Sequence, residues 1–527
     1  MPETVPPWLE PLYTADEMRA MDRWAIDEQG VPSLDLMERA GAGVAELVAD
    51  LPPTGPVRVV CGKGNNGGDG LVVVRRLGEL GVEAEALLLF PASELSADAR
   101  ANHERLASAA GAIAEVGVDE LGERLDGSGA VVDALLGTGF SGNPRSPLDA
   151  AIEAINAAES PVIAVDVPSG VDASTGEVAG ACVRADATVT FHAAKLGLWV
   201  MPGKGHAGQV EVVEIGIPAE GDGRPVPATA GLIRPWVLDL LPRRVADSTK
   251  FSSGSVLVVG GSTGLTGAVC MAADAAMRAG AGWVRAAVPA SLNAIFEQKL
   301  TEVMTVPLAD DEGDLTAGAA AAIGEAAERA DATVLGPGFG RSDGAFALAR
   351  EVAAALDCPL LVDADGLNAI AAAGLESLTG RAAPTVLTPH AGELARLVGT
   401  ESREVSARRL AHAHAAAKRS GATIVLKGDD TLVVEPGGRV GVSPGGSAAL
   451  ATAGTGDVLS GVIAAFLAKG LAPFAAACAG VYAHSQAGWL AAVDYGADSV
   501  IATDVIAALP EALRRPGVEG EPDQDLD

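Results

Sequence analysis

The sequence predicts two α/β domains, each an α/β/α three-layer stack in which helices cover both faces of a parallel sheet, and three observations predict it. A chain of 527 residues exceeds what one hydrophobic core organises, so two cores are expected. Apolar residues make up 49% of it but aromatics only 3%, so the interior is built from Ala, Val, Leu and Gly, the material of close-packed α/β layers. Short apolar runs alternate with helical segments in two successive series, the pattern of strands buried on both faces.

In chain order, Thr14-Ala-Asp-Glu17 fits a capping box that opens an amphipathic helix, and a second helix spans residues 34–48 until Pro52-Pro53 stops it. Residues 57–60, 84–89, 131–136 and 162–165 read as the first parallel strands, with 188–191 and 210–213 extending the sheet. Between Ile217 and Arg244 the periodicity fades into Pro, Gly and charge, above all at residues 218–225, which marks a linker. A second series begins at residues 256–260 and continues through 333–335, 359–362, 386–387 and 423–426. Residues 1–225 are thus assigned to one domain, 226–515 to another, and 516–527 to a disordered tail.

A formal net charge of −32 excludes nucleic acid as a partner, because phosphate contacts need clustered Lys and Arg and none is found. Anionic ligands must be held locally, by backbone amides or single cations. Cys61, Cys182, Cys270, Cys358 and Cys478 are dispersed without a C-x-x-C pair, so they read as small core residues of a reducing compartment. The N-terminus lacks a basic region followed by an apolar run, and the Ala-rich stretch 461–493 is broken by Lys469, Pro473 and His484. A cytoplasmic protein with no membrane partner is expected.

After the first strand comes Gly62-Lys-Gly-Asn-Asn-Gly-Gly-Asp-Gly70, followed by a helix over residues 71–80. Glycines there let the backbone approach a phosphate, and the helix start offers unpaired N–H groups. The loop is not the dinucleotide fingerprint G-x-G-x-x-G, so an ordinary oxidoreductase is not indicated. Two more strand ends carry Asp133-Ala-Leu-Leu-Gly-Thr-Gly-Phe-Ser-Gly142 and Asp166-Val-Pro-Ser-Gly-Val-Asp172. Because parallel strands deliver their carboxyl ends to one rim, Asn66, Asp133, Asp166 and Ser169 are expected to converge, and oxygen ligands without Cys or a His cluster suit a hard cation. Asp172 reads as a turn residue.

These segments resemble the NAD(P)H-hydrate epimerases over residues 14–216. The resemblance implies a Rossmann-like fold, binding of hydrated NADH and NADPH by Asn65, Asn66, Gly67, Gly68 and Asp69 and by Gly137, Thr138, Gly139, Phe140, Ser141, Gly142 and Asn143, contact from Asp166, and K⁺ held by Asn66, Asp133 and Ser169. Epimerisation at C6 of a hydrated nicotinamide ring needs proton transfer that tolerates either configuration, and Asp166 is the expected acid/base. Lys195 is either its electrostatic partner or a surface lysine near a strand end.

The strongest motif in the chain is Ala453-Gly-Thr-Gly-Asp-Val-Leu-Ser-Gly461 before an apolar helix. Amides at such a helix start can stabilise a transferring phosphoryl group while Asp457 takes a proton from the attacking hydroxyl. Leu426-Lys-Gly-Asp-Asp-Thr431, Gly336-Pro-Gly-Phe-Gly340, Thr388-Pro-His-Ala-Gly-Glu393 and Gly260-Gly-Ser-Thr-Gly-Leu-Thr-Gly-Ala268 follow other strands and are expected to meet it.

This set resembles the ribokinase-like NAD(P)H-hydrate dehydratases over residues 235–510. The resemblance implies that Ala268, Gly338, His390 and Asp457 contact the hydrated cofactor, that Lys427, Gly428, Asp429, Asp430 and Thr431 with Gly456 bind the adenine nucleotide beside Gly454 and Thr455, and that ADP is the co-substrate. Ser443-Pro-Gly-Gly-Ser-Ala-Ala449 departs from the Gly-Asn segment of many relatives.

Dehydration consumes a nucleotide because hydroxide leaves poorly and phosphate well, so phosphorylation of the C6 hydroxyl by ADP with Mg²⁺, then elimination, gives NAD(P)H, AMP and phosphate. A dehydratase selective for one epimer needs an epimerase, which fusion supplies in a single metabolite-repair enzyme. The alternative is a kinase of a small alcohol fused to a non-catalytic binding module. The resemblance and the Ala-rich helices after Gly461 also lead us to expect a homo-oligomer.

Overall fold

A computed structural model describes residues 4–52, 54–218 and 226–514. Most of the expected linker, from residue 219 to 225, and the expected tail after Pro516 lie outside the described residues. The chain forms two compact units, one of residues 11–231 with 406–408, the other of residues 4–10, 232–405 and 409–514. The division differs from the sequence boundary at residue 225. Residues 4–10 join the C-terminal unit because Leu9–Leu12 is a strand of its sheet, with Leu9 in its core and Trp8 packed 5.8 Å from Phe474. The fading periodicity from 217 to 244 also conceals order, since Ala230–Ile233 is a strand and Pro235–Leu240 a 3₁₀ helix. Both are too short for a period to register.

The N-terminal unit is built on seven strands in the order Ala112–Glu115, Ala84–Leu88, Val57–Cys61, Ala130–Ala134, Val162–Val165, Ala187–Phe191 and Gln209–Val213, all parallel. Alternate side chains divide between two cores. Val57, Val59 and Cys61 face the helices Ser33–Ala49 and Asn65–Glu79, while Val60, Leu87 and Val131 face Val118–Leu125 and Leu148–Ala157. The result is the three-layer stack that strands buried on both faces require. The chain builds outward from Val57–Cys61 to one edge, then returns to place Ala130–Ala134 on its other side. That reversal makes a switch point, with a crevice beyond the carboxyl ends of these two strands.

The Gly62–Gly70 segment is less of a loop than expected, because the helix starts at Asn65 with Gly64 as its N-cap. Its glycines serve close packing. A Cβ on Gly67 would lie 1.9 Å from the Gly62 carbonyl oxygen, and one on Gly70 2.7 Å from Ala134 Cβ. Only bare backbone lets the helix begin so tightly against the strand ends.

The C-terminal unit contains an eleven-stranded sheet in the order Leu9–Leu12, Ala230–Ile233, Val440–Val442, Leu432–Val434, Thr423–Leu426, Thr385–Leu387, Leu360–Val362, Ala332–Leu335, Ser255–Val259, Trp283–Pro289 and Met304–Leu308. From Thr423–Leu426 to Met304–Leu308 every pairing is parallel. Leu432–Val434 and Val440–Val442 continue it antiparallel. Again the first strand of the series is central, with its switch point between Ser255–Val259 and Ala332–Leu335. The helices Thr266–Arg278, Thr455–Ala468 and Pro473–Tyr495 contribute their apolar residues to the main core. Pro473 starts the last of these at a position where proline is tolerated, and His484 lies inside it without breaking it. Among the described residues no helix is long and apolar enough to cross a membrane.

Gly67→Ala is predicted to lower stability by about 3 kcal/mol or more, above the usual range for overpacking because the obstructing atom is backbone. Urea denaturation followed by circular dichroism checks it, and a variant as stable as the parent would refute the packing role.

Candidate active sites

In the N-terminal unit a cavity of about 670 Å³ opens at the switch point, lined by the 62–66 turn, residues 135–140, Asp166 and Lys195. Asp166 follows the Val162–Val165 strand with φ of +67°, a left-handed conformation that a non-glycine residue keeps only when its surroundings over-determine it. Its amide donates to the Val189 carbonyl at 2.8 Å. Its carboxylate is paired with Lys195 Nζ at 2.8 Å and accepts hydrogen bonds from Thr138 Oγ1 at 2.5 Å, Thr138 N at 3.1 Å and Thr190 Oγ1 at 3.2 Å. Burial pushes this carboxyl upward, but the Lys195 charge and the Thr138 bonds prevail and hold it below the ordinary carboxylate range. Lys195 is only 1% exposed and also donates to the Phe191 carbonyl at 2.7 Å. It therefore occupies the buried paired position, not the surface one that its sequence left open.

Asp133 is fully buried and accepts from Ser169 N at 2.8 Å, Ser169 Oγ at 2.7 Å and Leu135 N at 3.2 Å. Burial nonetheless pushes it up to about 6. A Cβ on Gly137 would lie 2.9 Å from Asn66 Oδ1 and 3.3 Å from Asp166 Oδ2, so Asn66, Gly137 and Asp166 meet on one rim. Asn66 Nδ2 is buried without a hydrogen-bond partner among the described residues. Asp69 is buried in the same cavity, and burial followed by the charges of Asp166 and Asp22 drives its carboxyl well above the ordinary range.

The other expected residues divide. Gly139 and Phe140 line the cavity, whereas Ser141, Gly142 and Asn143 are exposed and do not, and Asn143 Oδ1 lies against Gly180. Asn65 accepts from Ser96 Oγ at 2.8 Å, and Gly68 packs against Met37. Asp172 closes its own turn, accepting from Ser174 N and Thr175 N. Asp22 was not foreseen. The signal was available, since Met18, Met21 and Ala25 form a buried stripe into which Asp22 falls by helical spacing.

In the C-terminal unit the rim is organised by Lys427, immediately after the Thr423–Leu426 strand. Its Nζ donates to Asp363 Oδ1 at 3.0 Å and lies 3.8 Å from Glu393 Oε2. Asp363, at the end of Leu360–Val362, accepts from Ser460 Oγ through its other oxygen at 2.7 Å. A Cβ on Gly456 would lie 3.4 Å from Lys427 Nζ, so this lysine stands at the start of the Thr455–Ala468 helix. Gly454 turns the chain into that helix with φ of +93°, a conformation natural to glycine. Asp457, in the first turn, is pushed up to about 7 by burial and by the Asp363 charge, partly offset by Lys427. Asp363 and Ser460 were also missed by sequence, although Asp363-Ala-Asp365 closes an apolar run as the other site motifs do.

Ala268 and Gly338 lie together, a Cβ on Gly338 being 3.3 Å from Ala268 Cβ. His390 caps its own helix, its Nδ1 accepting from Gly392 N at 3.0 Å and Glu393 N at 3.3 Å, while Glu393 accepts from His390 N at 2.9 Å. Of the 427–431 turn, Gly428 and Asp429 are exposed, but Asp430 is 1% exposed and paired with buried Arg409 at 2.9 Å. Thr431 Oγ1 donates to the Gly428 carbonyl, and Thr455 Oγ1 to the Leu450 and Thr452 carbonyls, so these hydroxyls brace their own turns. The divergent 443–449 segment is tied by its serines, with Ser443 Oγ accepting from Gly445 N and Ser447 Oγ from Ala449 N. Among the described residues no group of three or more His, Cys, Asp and Glu is arranged to hold a metal ion.

A family model described as NAD(P)H-hydrate dehydratase matches residues 256–511, and one described as YjeF-related protein N-terminus matches residues 33–197. The chain is 42% identical to the bifunctional NAD(P)H-hydrate repair enzyme Nnr of Salinibacter ruber, with 97% of each chain covered. It is 41% identical to the protein of that name from Moorella thermoacetica, covering 95% of this chain and 96% of the relative. The ADP/ATP-dependent NAD(P)H-hydrate dehydratase from Bacillus subtilis, co-crystallised with ATP and Mg²⁺, is similar at 28% identity and a TM-score of 0.46, covering 52% of this chain and 94% of that one.

Removing one partner of the buried Arg409–Asp430 pair leaves an uncompensated charge. Arg409→Leu is predicted to cost about 3–5 kcal/mol and to loosen the 427–431 turn, which Arg409 also braces through the Leu426 and Lys427 carbonyls. Chemical denaturation measures the cost, and a loss below about 1 kcal/mol would place the pair among weak surface ion pairs.

Proposed function

Because the chain belongs to the bifunctional NAD(P)H-hydrate repair enzymes, we propose that its two units carry the two successive steps of that repair. The N-terminal unit interconverts the R and S forms of hydrated NADH and NADPH at C6, with Asp166 moving the proton and Lys195 fixing its charge. The C-terminal unit dehydrates the S form with ADP, releasing AMP and phosphate. The observation that carries this reading is Asp457. It is a carboxyl raised to about 7 in the first turn of a glycine-started helix, beside Lys427. That placement suits a base for the C6 hydroxyl, with the helix-start amides and Lys427 offsetting phosphoryl charge.

Asp363, Glu393 and Asp457 outnumber the single Lys427, so an anionic nucleotide needs a further cation there. Mg²⁺ fits this donor set, and Glu393, whose second oxygen has no partner among the described residues, would hold it. Its chemistry would be charge neutralisation on the transferring group. In the N-terminal unit, Asn66, Asp133 and Ser169 offer oxygen donors, and no cationic side chain among the described residues pairs with Asp133, which suits a hard monovalent cation such as K⁺. Its charge would hold Asp133 ionised and orient the rim. Five free thiols are consistent with a reducing cytoplasm. Trp489, Val493 and Tyr495, exposed at the end of one helix, are consistent with self-association.

Recovery of reduced-cofactor absorbance from mixed hydrate epimers, with ADP or ATP, reads both steps. Asp457→Asn is expected to slow dehydration by about 10²- to 10⁴-fold while nucleotide binding persists. Since the base works ionised, kcat/KM for dehydration should rise with pH through about 7 and level above it. Full activity in the variant would refute the assignment. Exchanging K⁺ for a larger organic cation is expected to slow epimerisation but leave dehydration of the S form unchanged, and equal epimerisation rates in both salts would remove K⁺ from the site.

A further inference from the structure

Epimerisation by one carboxylate leaves a proton unaccounted for. C6 of the hydrated ring carries a hydroxyl and is bonded to N1, and inverting it through an open form requires one proton to leave the hydroxyl and another to reach N1. Asp166 is suited to the first task only, because Lys195 and Thr138 hold it ionised.

Asp22, Asp69 and Asp98 line the same cavity as Asp166. Asp22 comes from the Ala15–Arg23 helix, which is anchored directly on the Lys195 segment. Tyr13 N donates to the Ala194 carbonyl at 3.0 Å, Leu196 N donates to the Tyr13 carbonyl at 2.9 Å, and Tyr13 bridges to Lys195. The Thr14–Glu17 capping box and a hydrogen bond from Ala15 N to Ser174 Oγ at 3.0 Å set the first turn. No hydrogen bond or ion pair engages the Asp22 carboxyl among the described residues. Burial first, with the Asp166 charge adding to it and the Lys195 charge opposing it, pushes this carboxyl up to about 6. Asp69 faces it from the Asn65–Glu79 helix, and Arg19 and Asp98 share the cavity. Among the carboxyls of this cavity, those of Asp22 and Asp166 thus have their proton affinities driven in opposite directions, as in an acid and base pair.

We propose that Asp22 is the general acid that complements Asp166 in the epimerase site, an inference that rests on the function assigned to this unit. Asp166 takes the C6 hydroxyl proton, the C–O pair closes to a carbonyl, and the C6–N1 bond breaks with its electrons passing to N1, which takes the proton of Asp22. Rotation about C5–C6 presents the other face of the aldehyde. N1 then attacks C6, Asp22 recovers its proton from N1, and Asp166 returns its own to the oxygen. Nothing is consumed, and both configurations are served by the same pair.

The test uses the full chain and the R form of hydrated NADH, with ADP draining the S form through the C-terminal unit. Asp22→Asn should reduce epimerisation kcat by about 10²-fold or more, with KM little changed and S-form dehydration intact. In the parent, epimerisation kcat/KM should fall as pH rises above about 6, and this limb should vanish in Asp22→Asn. Asp22→Glu should keep the limb at reduced kcat, which loss of folding would not produce. An Asp22→Asn variant with parental kcat and pH profile, or an Asp22→Glu variant without the limb, overturns the proposal. If Asp166→Asn is inactive in that case, the site assignment stands without Asp22. If both Asn variants are fully active, the assignment of the site itself fails.

Discussion

A parallel strand releases its chain at the same rim as its neighbours, and both sites of this protein depend on that constraint. Where the strand order reverses, the turns after the two central strands diverge and leave a crevice between them. In the N-terminal unit that crevice lies beyond Cys61 and Ala134, and every polar group of the cavity reaches it from a strand end or from a helix tied to one. The glycines of the 62–70 segment follow from the same geometry, because a helix separated from its strand by only three residues must pass bare backbone over backbone.

Each site then sets a lysine against a carboxylate, with different consequences. Lys195 is directed wholly at Asp166 and the backbone beside it, which keeps that carboxyl ionised in a site too buried to tolerate charge otherwise. Lys427 is shared between Asp363 and Glu393, so it relieves Asp457 only in part, and that carboxyl remains near neutrality. One lysine stabilises an anion and the other leaves a carboxyl whose proton affinity stays raised.

Much of this was legible in the chain. The strands 162–165 and 423–426 were bounded as observed, and the Thr14 capping box and the site motifs after Cys61, Val165 and Leu426 lie where apolar runs end. What escaped reading lacks a local signature. Leu9–Leu12 and Ala230–Ile233 are four-residue strands whose places in the sheet are set by partners far along the chain. Asp430 and Thr431 read like the rest of the 427–431 segment, and only the fold shows Asp430 paired with Arg409 and the Thr431 hydroxyl donating to the Gly428 carbonyl.

Sequence alone determined the α/β class, the motif set and the family resemblance, because burial on both strand faces and glycine at tight turns constrain which residues can stand in succession. Tertiary structure decided which carboxyls lie together. Asp22 joins Asp166 and Asp69, and Asp457 meets Asp363, across separations that no spacing rule spans. Proton affinity is set by the charges and the water around a group in space, and those neighbours exist only once the chain has folded.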